Sequence, residues 1–316
     1  MSFRVLGTGR CLPEKIVRND ELPQTLDTSD EWISQRVGVR ERRVCTTETT
    51  SELARKAAEA ALEMSCVSPK ELDMIICATV SPDNISPSAA CSVQSTIGAS
   101  CPSMDINAAC SGFLYALETA AGFFARGAKR ILVAGAERLT GLIDWNDRGT
   151  AVIFGDAAGA MVLGEGDAYL ASKLYARGNS TVLNIPNHKG SSPYYLNEPG
   201  KPCIHMNGQE TFKFAVNAMC TDLAEVAKKA GLEIEDINWI IPHQANARII
   251  DASAKKLGIK PESCLKNIDR TGNTSAASIP VLADELWRSG KLHNGDYVAM
   301  CSFGAGLTSA ACIIRY

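Results

Sequence analysis

Met104-Asp105-Ile106-Asn107-Ala108-Ala109-Cys110-Ser111-Gly112-Phe113 is the stretch on which the reading of this chain turns. It reads as a short apolar strand that stops at small residues and runs straight into a helix, expected over 113–126. Small residues serve where a chain turns sharply and its backbone must come close to a ligand. A thiol at the first turn of a helix feels the positive end of the macrodipole and unpaired N–H groups, and both favour the thiolate. The same N–H groups suit an acyl oxygen as it gains negative charge. A cysteine is more often a small apolar core residue than a nucleophile. Cys110 therefore has to be weighed together with the rest of the chain.

Upstream, 3–9 reads as a strand and 50–64 as a helix rich in Ala, Leu and Glu. The near-continuous apolar run 72–80 reads as a strand covered on both faces. A loop with two prolines at 81–88 leads to a helix at 89–98. Downstream, 129–137 is a further buried strand and 144–150 a polar loop with Trp145 and Arg148. Residues 151–165 read as two strand segments around a glycine-alanine turn. The second half follows the same order. A strand at 169–177, a polar loop at 188–202 and a helix at 210–231 precede 232–241, which mirrors 67–76. Then come a helix at 247–257, a strand at 264–267, a glycine turn, a helix from 276, and strands at 297–302 and 309–314. One order of elements used twice predicts an internally duplicated α/β fold with halves 1–166 and 167–316. In that overlay Cys110 falls near Gly272-Asn273, so corresponding turns face one site.

Composition narrows the function. A net charge of −3 argues against nucleic acid as the main partner. No apolar run approaches the roughly 20 residues needed to span a bilayer. Residues 1–10 lack the pattern of a signal peptide, so a cytoplasmic protein is expected. None of the 12 cysteines lies within three residues of another, which excludes the usual zinc spacings; reduced thiols and no metal are expected.

Three segments of the second half supply candidate partners for Cys110. Ile240-Ile241-Pro242-His243-Gln244-Ala245-Asn246 places a histidine where a buried strand ends. Asp269-Arg270-Thr271-Gly272-Asn273-Thr274-Ser275 places an asparagine in a polar turn, and Ser302-Phe303-Gly304-Ala305-Gly306-Leu307 is a loop of small residues between strands. Reacting groups collect at strand ends in α/β folds. Histidine exchanges protons near neutral pH, and an asparagine amide donates to an oxyanion or enolate without becoming charged. In the first half, Thr28 and Glu31 have capping-box spacing. Trp32 and Arg36 then share a helix face suited to a flat, phosphate-bearing ligand such as an adenine nucleotide.

Taken together, His243–Asn246 (HQAN), GNTSAAS at 272–278, AACSGF at 108–113, DEW with Arg36, and FGAGLT at 303–308 resemble the β-ketoacyl-acyl-carrier-protein synthase III family, the initiating condensing enzymes of type II fatty-acid synthesis. The resemblance covers essentially the whole chain. It implies a thiolase-like fold, five layers α/β/α/β/α built from two related halves, and a homodimer.

It further implies that Cys110 takes the acyl group from acetyl-CoA or a related short acyl-CoA. The N–H groups of Cys110 and Ala305 would form the oxyanion hole. His243 and Asn273 would bind the carbonyl of malonyl carrier protein as it loses CO2, with Phe303 against the malonyl carboxylate. Trp32 and Arg148 would sandwich the CoA adenine, with Arg36 and Thr28 nearby. Met206, Gly208, Phe212, Ala245 and Asn246 would line the pantetheine tunnel. No tightly bound cofactor is implied; the CoA and phosphopantetheinyl thioesters are substrates.

Arg248, Lys255 and Lys256 on the helix after His243, with Lys213, form a basic patch that suits an acidic acyl carrier protein. Two positions depart from the pattern: Gln209 stands where asparagine is common, and Ser86 where some members carry a phenylalanine that limits the primer pocket. Ser86 leads to an expected broader primer range. The rival readings are a specialised synthase of secondary metabolism making a quinolone or polyketide starter, a cysteine hydrolase, and a non-catalytic acyl-CoA-binding paralogue.

Overall fold

The computed structural model describes residues 2–186, 194 and 202–316. The polar loop expected at 188–202 lies outside the described residues except for Tyr194 and Pro202.

Met74–Ala78 is buried at every position, as its unbroken apolar run requires. It lies inside a five-stranded sheet in the order Ser2–Cys11, Asp156–Gly166, Arg130–Arg138, Met74–Ala78, Ser103–Ile106. Met74–Ala78 runs parallel to both neighbours, while Asp156–Gly166 runs antiparallel to both of its own. A four-stranded sheet follows the order Trp239–Pro242, Tyr297–Gly304, Gly306–Arg315, Tyr169–Asn179. Every strand of the first sheet comes from residues before 167, and every strand of the second from residues after it.

Helices Gly112–Ala125 and Ser278–Arg288 lie between the sheets. Each is buried around most of its circumference, which suits a helix with sheet on both sides. Phe113, Leu114 and Leu117 join Ile76, Val133, Ile279, Met300 and Ile314 in one core that spans both sheets. Each such side chain, fully withdrawn from water, contributes about 1.5–3 kcal/mol. Helix Thr50–Ser65 covers the outer face of the first sheet, and helices Gly208–Ala230 and Ala247–Leu257 that of the second. The result is five layers, α/β/α/β/α.

Backbone contact also joins the sheets. A Cβ built on Gly135 would lie 2.4 Å from the carbonyl oxygen of Ala276. Only glycine there lets the turn Ser275–Ala277 rest on the strand that carries Glu137.

Several expected elements differ. The helix after Cys110 begins at Gly112, preceded by a 3-10 turn, Ala109–Ser111. Residues 151–165 are not two strands: a short helix, Arg148–Ala151, and a turn precede one strand, Asp156–Gly166. The strand expected at 264–267 reduces to a single bridge between Ile240 and Cys264. The N-cap of helix Asp30–Arg36 is Ser29, whose hydroxyl accepts from the Trp32 N–H, so Thr28 does not form the expected capping box. Among the described residues, no helix is long and apolar enough to cross a membrane.

Candidate active site

The turn that presents Cys110 is held in an uncommon conformation. Ala109 has φ +48°, the left-handed region that a residue with a Cβ rarely enters. Its N–H donates to Asn107 Oδ1 at 3.3 Å, and the Thr308 hydroxyl donates to the Ala108 carbonyl at 3.1 Å. The turn is thus tied to the closing strands. Gly304 completes the fit, because a Cβ there would stand 2.7 Å from the Cys110 nitrogen and 3.1 Å from its Cβ. Gly304→Ala is expected to displace the nucleophile turn and lower the acylation rate by about 10²-fold, the effect of misplacing a reacting group by an ångström. It should also lower the melting temperature, as overpacking does; stopped acylation assays and thermal denaturation check both.

Burial pushes the Cys110 thiol up to about 12; the Glu137 carboxylate adds to the rise, while the Ser275 hydroxyl and the cysteine's own N–H oppose it. The free chain therefore holds a thiol, and the proton has to leave as the sulfur attacks. The N–H at the helix start still acts in the thiolate's favour, as expected, but burial outweighs it.

His243 follows strand Trp239–Pro242 directly and is 1% exposed. Burial depresses its imidazole to about 3, so it is neutral throughout the physiological range. Its Nδ1 lies 2.7 Å from the Ser278 hydroxyl, which also accepts the Gln244 N–H at 3.4 Å. A hydroxyl that donates to Nδ1 leaves the hydrogen of the neutral ring on Nε2, the tautomer that donates toward the cavity; its second lone pair also lets it accept from Nδ1–H. Phe303, 3% exposed, sets its ring edge-on to the imidazole at 5.3 Å.

Asn273 is pinned by its main chain, donating to Ile153 O at 2.9 Å and accepting from Gly155 at 3.0 Å. Its Oδ1 accepts the Ser275 N–H at 2.8 Å, which fixes the amide plane and leaves Nδ2 as the donor for a ligand. Ser275, also at φ +48°, sits next to it.

Cys110, His243, Asn273, Ser275, Phe303 and Ala305 line one cavity of ≈ 270 Å³. Trp32, Arg36, Arg148, Gly208, Phe212 and Asn246 line the same cavity. Arg36, Arg148 and Gly208 are exposed while His243 and Asn273 are buried, so the cavity runs from a basic, aromatic mouth to a buried reactive end. Met206 and Ala245 form part of its wall, and Val80, Leu139 and Phe154 give it apolar surface.

Three expected placements differ. Arg148 lies over the Trp32 ring at 4.9 Å and donates to Asp27 O at 2.7 Å, so the two stack on each other instead of framing an open slot. Thr28 is absent from the cavity lining, and its hydroxyl is buried without a partner. Ser86 lies in an exposed loop outside the cavity of its own chain. Of the basic patch, Lys213, Arg248, Lys255 and Lys256 are all exposed, with Arg248 5.9 Å from the Phe212 ring at the mouth. Among the described residues, no group of His, Cys, Asp and Glu could hold a metal ion.

The family model for 3-oxoacyl-[acyl-carrier-protein (ACP)] synthase III matches residues 104–178, and the model for its C-terminal part matches 227–316. A β-ketoacyl-[acyl-carrier-protein] synthase III of Clostridium acetobutylicum is 44% identical over 100% of this chain and 99% of its own. The crystal structure of 3-oxoacyl-[acyl-carrier-protein] synthase III from Aquifex aeolicus superposes with a TM-score of 0.93 at 43% identity, covering 99% of this chain and 100% of that one. The priming β-ketosynthase of the R1128 polyketide pathway also reaches 0.93, at 34% identity over 99% of this chain and 96% of that one.

Proposed function

Since this chain belongs to the 3-oxoacyl-[acyl-carrier-protein] synthase III family and is an initiating condensing enzyme of the acyltransferase type, we propose how its own residues divide the reaction. Cys110 attacks the thioester carbonyl of acetyl-CoA or another short acyl-CoA, releases CoA and holds the acyl group. The N–H groups of Cys110 and Ala305 receive the oxyanion. Malonyl carrier protein then enters the same cavity. His243 Nε2–H and Asn273 Nδ2–H bind its thioester carbonyl, and the apolar face of Phe303 disfavours the malonyl carboxylate. CO2 leaves, the enolate is held by two uncharged donors, and its carbon attacks the acyl-Cys110 carbonyl to give the 3-oxoacyl carrier protein. Neutral donors in a buried pocket suit a developing charge, because their hydrogen bonds strengthen as water is excluded.

The observation that carries this reading is the convergence of Cys110, neutral His243 and oriented Asn273 at the buried end of one cavity. Incubation with acetyl-CoA and malonyl carrier protein is expected to yield acetoacetyl carrier protein, free CoA and CO2 in equal amounts. Turnover only with long or unusual primers, or without carrier protein, would move the reading to a specialised synthase. That alternative is not favoured by the relatives at 42–44% identity that carry the synthase III name.

CoA binding is assigned to Trp32, Arg36 and Arg148 at the mouth and pantetheine to Met206, Gly208, Phe212, Ala245 and Asn246; Thr28 is kept only as a neighbour of this site. A CoA adenine at this position would have to part Arg148 from Trp32. Lys213, Arg248, Lys255 and Lys256 are proposed to receive the acyl carrier protein. Arg248→Glu is expected to raise KM for malonyl carrier protein by about tenfold and leave KM for acetyl-CoA within about twofold, as lost charge complementarity predicts; paired steady-state titrations check it. The two halves 1–166 and 167–316, and a homodimer, are proposed on the same resemblance. Ser86 bears on the primer only if a second copy brings its loop to the cavity.

A further inference from the structure

If Nε2 of His243 carries hydrogen toward the cavity, it cannot take the proton that Cys110 must lose. The turn that holds Ser275 supplies another route. Ser275–Ala277 is wedged between the Cys110 turn and the strand Arg130–Arg138: Gly112 would meet Ala276 Cβ at 3.7 Å, and Gly135 would meet the Ala276 carbonyl at 2.4 Å. On that strand Glu137 is 0% exposed. Its Oε2 accepts the Ser81 hydroxyl at 2.6 Å, the Val80 N–H at 3.1 Å and the Thr79 hydroxyl at 3.3 Å. Its Oε1 makes no well-aligned hydrogen bond, but the Ala276 N–H of the Ser275–Ala277 turn interacts favourably with the carboxylate. The Ser275 hydroxyl interacts favourably with both the Glu137 carboxylate and the Cys110 thiolate.

We propose that Glu137 accepts the Cys110 proton through the Ser275 hydroxyl during acyl transfer and holds it until condensation returns it. The proposal rests on Cys110 being the acylated nucleophile. As Sγ attacks the acyl carbonyl, the S–H proton passes to Ser275 Oγ and the Ser275 hydrogen passes to Glu137 Oε1. The new C–S bond forms, the C–S bond to CoA breaks, and the CoA thiolate takes its proton from water. In condensation the enolate carbon bonds to the acyl carbon, the bond to Cys110 breaks, and the proton on Glu137 returns through Ser275 to Sγ. The one proton consumed overall is the one that CoA takes up.

Burial raises Glu137 to about 7, so it accepts and releases a proton near neutral pH. The titratable groups that face it are the thiols of Cys77 on Met74–Ala78 and of Cys110.

The test measures the single-turnover acylation rate of Cys110 by acetyl-CoA from pH 5.5 to 9, by intact mass, beside malonyl-CoA decarboxylation. Glu137→Gln and Ser275→Ala are each expected to slow acylation by about 10²-fold at neutral pH, the usual contribution of a general base. Wild-type acylation should level off above about pH 7 while Glu137→Gln keeps rising with pH. Decarboxylation should stay within about twofold of wild type in Glu137→Gln. Acylation in both variants within about threefold of wild type with an unchanged pH profile, or an equal loss in both reactions in Glu137→Gln, overturns the relay. Ser275→Ala leaves the contacts of Glu137 to 79–81 in place, so a folding defect in Glu137→Gln does not blur the result. Absence of an acyl group on wild-type Cys110 would overturn the nucleophile reading itself.

Discussion

Cys110→Ala is expected to lower formation of 3-oxoacyl carrier protein by at least about 10⁴-fold, because the acyl group then has nowhere to wait. The effect should be selective. His243 is held by Ser278 and Phe303, and Asn273 by Ile153, Gly155 and Ser275, none of which involves the Cys110 side chain. Malonyl thioester decarboxylation should therefore persist in Cys110→Ala and run uncoupled from condensation. Loss of both reactions together would mean that the sulfur supports the cavity instead of the chemistry.

Asn273→Ala should give the converse. Removing one of two donors to a developing oxyanion costs about 10²–10³-fold. Decarboxylation should fall by that factor while acetylation of Cys110 changes only a few-fold. The pH profile adds a check with a definite sign. His243 titrates at about 3 in the folded chain, below its ordinary 6.5, so it stays neutral at every pH above that folded value. Decarboxylation should then be flat between about pH 5 and 8, and an acid limb near 6.5 would contradict the neutral donor. The same shift acts on stability. The unfolded chain gains a proton near 6.5 that folded His243 refuses until about 3, so stability falls as pH drops through that window.

Much of this was legible in order and pattern. The strand-turn-helix at Cys110, the buried run at Met74–Ala78, the histidine closing a strand and the asparagine in its turn all lie where periodicity and small residues placed them. What sequence could not supply was solvation. The helix start at Gly112 argued for a thiolate, yet packing around Cys110 outweighs it. Residues 151–154 read as a strand because they are apolar. Their apolarity instead serves a core cluster beside the cavity, and their backbone is spent on Asn273. The direct stacking of Arg148 on Trp32 has no signal in the spacing of residues 116 apart, although a guanidinium readily takes an open aromatic face. Glu137 left no signal, since one carboxylate ending an apolar strand looks like the first residue of the next loop.

The most direct measurement is peptide mapping by mass spectrometry after the wild-type chain meets acetyl-CoA with no malonyl substrate. One acetyl group per chain is expected, borne by the peptide that holds Cys110, with one CoA released, and its conversion to acetoacetyl carrier protein once malonyl carrier protein is added. Acetylation elsewhere, or product formed without a Cys110 adduct, would contradict Cys110 as the acylated nucleophile.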